Sequence, residues 1–141
     1  LKKQKKNFII NKYIILLCQE RRIKMNTKRI LVVDDEPINY VLLNAILKRL
    51  DYSVLYAEDG YKALDMIKED DFALIIMDIK MPGMNGIETS RRIKAINPKI
   101  KIIASSAVKE LDKEEYSLFV DFISKPINRI QLIEMVEKYT K

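Results

Sequence analysis

ILVVDDE, residues 30–36, is the stretch whose reading decides the fold. Ile30 to Val33 run apolar without alternation and end abruptly in Asp34, Asp35 and Glu36. An uninterrupted, β-branched-rich run of this kind is expected of a strand buried on both faces, as in a parallel sheet covered by helices. ALIIMD, residues 73–78, repeats the pattern: Ala73 to Met77 are apolar and Asp78 closes the run. Further short runs stand at Val54–Tyr56, Ile100–Ala104 and Val120–Ile123.

Segments of helical length separate these runs. Ile38, Leu42, Ala45, Ile46 and Leu50 predict the buried face of the first of them, and Ala63, Leu64 and Ile67 that of the second. Ile87, the stem of Arg91, Ile93 and Ile96 give a weaker stripe. Ile130, Ile133 and Val136, flanked by Leu132 and Met135, give the last. Strands alternating with helices predict an α/β fold, a parallel sheet with helices on both faces. In such folds the site forms beyond the carboxyl ends of the strands, so the residues after each run matter most.

Those residues are chemically pointed. The first strand ends in Asp34 and Asp35, the third in Asp78, the fourth in Ser105-Ser106-Ala107, and the fifth in Ser124-Lys125-Pro126. Carboxylates brought together on one rim repel each other and call for a cation. Mg²⁺ suits such a rim, because it takes one or two carboxylates and bridges to phosphate oxygens. A carboxylate can itself be the nucleophile toward phosphorus, and the transfer then needs charge stabilisation from a metal, a lysine and a hydroxyl.

ILVVDDEPIN, LIIMDIKMPGMNGIE, IIASSA and FISKPI, in that order, resemble the receiver domain of two-component response regulators. The resemblance covers about residues 28–139. The DDEPIN start and the MPGMNGIE loop are similar to receivers of hybrid histidine kinases. It implies a flavodoxin-like, doubly wound five-stranded parallel sheet in the order 2-1-3-4-5. It implies that Asp78 is the phosphoacceptor, taking its phosphoryl group from a partner's phosphohistidine in a phosphorelay. Asp34, Asp35 and Asp78 would hold Mg²⁺, Asp35 directly and Asp34 partly through water, with Lys80 lending its backbone carbonyl. Lys125 would pair with the Asp78 carboxylate or its phosphoryl group. Ser106 and Phe122 would be the switch residues, the hydroxyl moving toward the phosphoryl group and the aromatic changing rotamer with it. Pro82 and Gly83 would shape the loop after Asp78, and the Lys125–Pro126 bond is expected to be cis, uncommon even before proline.

Plainer readings stand beside these. Asp34 and Asp35 could be acids favoured by a helix N-terminus. Asp78 could form a turn, Lys125 could be a solvated charge, and Phe122 could be plain core. Ser105 is read as capping the next helix, Ser106 less so, and Glu36 as a first-turn acid, with an outer-shell water ligand as the alternative. Gly83 and Gly86 lack the Gly-Lys-Ser/Thr of a nucleotide loop. Gly60 is read as opening the second helix. The stretch from Ser106 to Lys125 is short for a receiver, so the fourth helix of the body is expected to be short, irregular or shifted. Lys80 and Val108 flank the path of an attacking water, and Val108 cannot orient it, which predicts slow self-dephosphorylation.

The net charge of +6 is concentrated at one end. Residues 1–24 hold eight Lys/Arg and one acid, leaving −1 for residues 25–141, so charge gives no support to nucleic-acid binding by the body. We divide the chain into a basic leader, 1–24, and a receiver body, 25–141. The leader is read as an upstream or added extension, with an amphipathic arm or an export signal as alternatives. No histidine is present, which removes any phosphohistidine step within these 141 residues. The single cysteine, Cys18, permits no intrachain disulfide and gives no sign of an oxidising compartment. No apolar run reaches the roughly 18 residues of a membrane span, and the body is expected in the cytoplasm.

The expected partners are a histidine kinase or histidine phosphotransfer protein and a further protein downstream, with homodimerisation on phosphorylation as an option. With only Lys141 after Thr140, output is expected from a separate protein or from the rest of a longer one. The chain would be no ordinary enzyme, catalysing only its own phosphorylation and slow dephosphorylation at Asp78. Two alternatives from other classes are a Mg²⁺-dependent aspartyl-phosphate phosphatase or phosphotransferase, and an inactive receiver-shaped interaction module. The former usually carries a second Asp where this chain has Lys80.

Overall fold

The computed structural model describes residues 2–25, 27–107 and 110–141. Five parallel strands form one sheet: β1 (Arg29–Val33), β2 (Ser53–Ala57), β3 (Leu74–Asp78), β4 (Ile102–Ser106) and β5 (Asp121–Ser124). Their order is β2-β1-β3-β4-β5, as the resemblance implies. The leader is a helix, α1 (Lys2–Met25), followed in the body by α2 (Pro37–Leu47), α3 (Gly60–Glu69), α4 (Gly86–Ile96), α5 (Lys113–Ser117) and α6 (Arg129–Tyr139). Along α1, Phe8, Ile9, Ile10, Tyr13 and Ile14–Leu17 are exposed and spread around the helix, so they form no single apolar face. Among the described residues no helix is long and apolar enough to cross a membrane.

The central strands are buried on both sides, as their unbroken apolar runs require. Leu31, Val33, Ile75 and Met77 face one core layer with α3 and α4, closed by Phe119. Ile30, Val32, Leu74, Ile76 and Ile103 face the other, with Leu43 and Leu47 of α2 and Leu132 and Val136 of α6.

Three expected helix faces are corrected. In α2, Ile38 and Leu42 are 59% and 57% exposed, whereas Leu43 and Leu47 are 3% and 0% exposed. The helix is apolar nearly all round, so periodicity alone allowed the wrong stripe. In α6 the buried residues are Leu132 and Val136, and Ile130 is exposed. In α4 the buried face is built from Gly86, Thr89, Ser90 and Ile93, small hydroxyl side chains where large apolar ones were sought.

The strand limits shift slightly. β4 starts at Ile102, because Ile100 is drawn into the preceding turn, its N–H donating to the Asn97 carbonyl at 3.3 Å. Gly60 does open α3, capped by the Asp59 carboxylate, which accepts from the Lys62 N–H at 2.8 Å. Ser105 caps nothing: it lies inside β4, and α5 is capped by Asp112 and Glu115 in a reciprocal box. The helix between β4 and β5 is short, as expected.

Burial sets the expected cost of each truncation. Leu47→Ala should cost about 2–5 kcal/mol, and Leu42→Ala less than about 1 kcal/mol. Urea unfolding of the two variants checks which side of α2 faces the core.

Candidate functional site

Parallel pairing brings the strand ends level. Val33 lies beside both Ala57 and Met77, so the chain leaving β1 places Asp34 next to Asp78. Asp78 pairs with Ser105 and Ser106 with Ser124, which puts Lys125 just beyond β5 on the same rim. Carboxylate oxygens of Asp34, Asp35 and Asp78 lie within 4.8 Å of one another. Asp34 and Asp78 are buried and Asp35 is exposed, so the cluster opens on one side.

Lys125 ties the two buried acids together. Its Nζ donates to Asp34 Oδ2 at 3.1 Å and lies 3.2 Å from Asp78 Oδ1. Asp34 is held further by the Glu36 N–H on Oδ1 at 2.9 Å and by Asn39 Nδ2 on Oδ2 at 3.0 Å. Its backbone carbonyl accepts the Tyr56 hydroxyl at 2.8 Å. Asn39 and Tyr56 were missed at the level of sequence. Tyr56 passed for an ordinary strand residue, and Asn39 had no signal beyond its place in the Asp34–Asn39 run.

Close approach also shapes the floor. A Cβ on Gly86 would lie 2.0 Å from the Asp78 carbonyl oxygen, so only glycine lets the start of α4 press against the end of β3. The Gly86 N–H donates to the Ile79 carbonyl at 2.9 Å. Gly83 has φ +75, the left-handed turn that glycine favours, in the loop expected of Pro82 and Gly83. The Lys125–Pro126 bond is cis, as expected.

Ser106 is buried at the end of β4, and its carbonyl accepts the Lys125 N–H at 3.3 Å. Phe122 is half-buried and packs against Tyr116 and Phe119, with ring centroids 4.8 and 5.5 Å apart. A cavity of about 300 Å³ lies between Ser106, Phe122 and Tyr116. Lys80 is exposed two residues past β3, and Val108 lies outside the described residues.

The electrostatics follow from this crowding. Burial, reinforced by Asp34, pushes the Asp78 carboxyl up to about 6 against the pull of Lys125. Burial lowers Lys125, but the bonds and charges of Asp34 and Asp78 outweigh it and raise the ammonium above its usual range. Burial and then the charge of Asp34 raise the Tyr56 hydroxyl, which keeps it a proton donor. A rim of carboxylate oxygens, without thiolate or imidazole, suits a hard divalent cation.

The model of the family described as "Response regulator receiver domain" matches residues 30–137. The chain belongs to that family. The receiver is 34% identical over 119 residues to sporulation initiation phosphotransferase F of Bacillus subtilis, covering 82% of this chain and 95% of that protein. It is 31% identical to the sensor histidine kinase GacS of Pseudomonas protegens, over 86% of this chain but only 14% of GacS. In structure it is similar to the response regulator TrrA of Thermotoga maritima in complex with Mg²⁺-BeF. That likeness has a TM-score of 0.75 at 34% identity, over 80% of this chain and 99% of TrrA. This is a receiver of two-component signalling.

The raised Asp78 carboxyl sets a pH dependence. Between about 4 and about 6 the folded receiver holds a proton that the unfolded chain releases, so folding stability falls as pH rises through that window. In EDTA at neutral pH, Asp78→Asn should therefore be more stable than wild type by on the order of 3 kcal/mol. The gap should close as the pH is brought down to about 4, as thermal melts across the range would show.

Proposed function

We propose that this receiver takes a phosphoryl group on Asp78 in a Mg²⁺-dependent reaction, from a phosphohistidine on a histidine kinase or phosphotransfer protein. The observation that carries the reading is the meeting of three carboxylates within 4.8 Å, two of them bridged by one ammonium. An Asp78 carboxylate oxygen forms a bond to phosphorus while the phosphorus–nitrogen bond to the donor imidazole breaks, and the nitrogen keeps the electron pair. Asp34 and Asp35, with the carbonyl of Lys80, would hold Mg²⁺, which supplies charge neutralisation to the transferring phosphoryl oxygens. Lys125, raised and therefore charged, is placed to bond a phosphoryl oxygen on Asp78.

Ser106 and Phe122 are the residues through which the phosphoryl group would change the surface. A new acceptor above Asp78 draws the Ser106 hydroxyl, and the cavity beside it gives the Phe122 ring room to follow. The change reaches α5, whose Tyr116 packs on Phe122, and the surface of α5, β5 and α6 is where a downstream protein or a second copy would read it. The location proposed is the cytoplasm, where kinase donors reach the receiver. Residues 1–24 are proposed to lie outside the receiver body.

Incubation with Mg²⁺ and acetyl phosphate, followed by intact-mass measurement, should add one phosphoryl group to wild type and none to Asp78→Asn. Excess EDTA should abolish the addition. A wild type that stays unmodified under these conditions would sink the reading. Loss of the added mass after donor removal should be slow, and decay within seconds would contradict the role given to Lys80 and Val108.

A further inference from the structure

Two side chains that the phosphoryl chemistry leaves unassigned converge on Asp34. Asn39, in the first turn of α2, donates to Oδ2 at 3.0 Å, the oxygen that also accepts from Lys125 at 3.1 Å. Tyr56, in β2, donates its hydroxyl to the Asp34 carbonyl at 2.8 Å. The Asp34 N–H in turn donates to the Ala57 carbonyl at 3.2 Å, so a residue past the end of β1 is fastened to β2 through both its N–H and its carbonyl. The Tyr56 ring is itself fixed, stacked on Tyr40 with centroids 4.8 Å apart and planes at 23°. Tyr40 is anchored by its hydroxyl, which donates to the Val54 carbonyl at 3.3 Å.

These contacts oppose a specific tendency. The Lys125 ammonium attracts Asp34 Oδ2, and a carboxylate drawn wholly onto an ammonium turns away from a cation on its open side. A second donor on the same oxygen, from the first turn of α2, divides that attraction and fixes the carboxylate plane. A fixed carbonyl beneath it stops the backbone from rotating to compensate.

We propose that Asn39 and Tyr56 are positioning residues that hold the Asp34 carboxylate in the orientation a divalent cation needs, and so set the Mg²⁺ affinity of the receiver. The proposal rests on the Mg²⁺-dependent reading above. Partners that orient metal ligands from outside the ligand set typically change metal affinity by about 10- to 100-fold when removed.

Calorimetric titration of Mg²⁺ into the full chain, without phosphodonor, tests it. Tyr56→Phe removes one hydroxyl and keeps the stacked ring, and Asn39→Ala removes the amide. Each should weaken Mg²⁺ binding by about tenfold, while the melting midpoint in EDTA stays near that of wild type. Wild-type affinity in both variants would overturn the proposal. So would a loss of affinity matched by a lower midpoint in EDTA, because general loosening would then account for it. A wild type that binds no Mg²⁺ at all gives a different pattern, and removes the Mg²⁺ reading along with this one.

Discussion

Two buried carboxylates share one ammonium at the carboxyl edge of the sheet, and the rest of the site depends on that arrangement. Asp34 and Asp78 are 3% and 4% exposed and stand at the ends of adjacent central strands. Like charges this close in a poorly hydrated place are costly, and Lys125 offsets only part of the cost, as the raised Asp78 carboxyl records. The protein therefore keeps an unrelieved negative charge at a spot open on the Asp35 side. Such a charge would favour a cation there, and the proposed Mg²⁺ would in turn draw the oxygens of a phosphoryl group.

The sheet makes this arrangement reproducible. Parallel register fixes where each strand stops relative to its neighbours, so a residue one place past β1 and the last residue of β3 must meet. This is why the acids, the hydroxyl and the lysine were legible from the sequence. Each directly follows or closes a short apolar run, and the order of the runs in the chain places them on one rim. The glycine that lets α4 approach Asp78 was visible as a residue, but its reason was not, since the 2.0 Å approach exists only once α4 is packed.

The less legible parts share a physical cause. Helix faces depend on which apolar stripe wins when several are available, and α2 offers Ile38, Val41 and Leu42 to solvent while burying Leu43 and Leu47. In α4 the helix sits so close to α3 that Thr89 lies against Gly60, and hydrophobic periodicity cannot register the buried hydroxyl side chains of Thr89 and Ser90. Asn39 and Tyr56 bond to Asp34 across 5 and 22 residues of chain, one through a carboxylate and one through a backbone carbonyl. Neither contact leaves a periodic trace.

Taken together, the contacts divide the rim into a stiff half and a yielding half. On the β1 side, Asp34 is bound through its N–H, its carbonyl and both carboxylate oxygens, to partners on β2, at the start of α2 and just past β5. On the β4 side, Ser106 borders a cavity of about 300 Å³ and the Phe122 ring meets Tyr116 on a helix of only five residues. A ligand added at Asp78 between these halves cannot displace the first without breaking several hydrogen bonds at once. On the second side, the cavity beside Ser106 and Phe122 leaves room for a side-chain rotation. The proposed phosphoryl signal would then travel away from α2 and β2, where Asp34 is tied down, and toward α5 and β5, where the cavity lies.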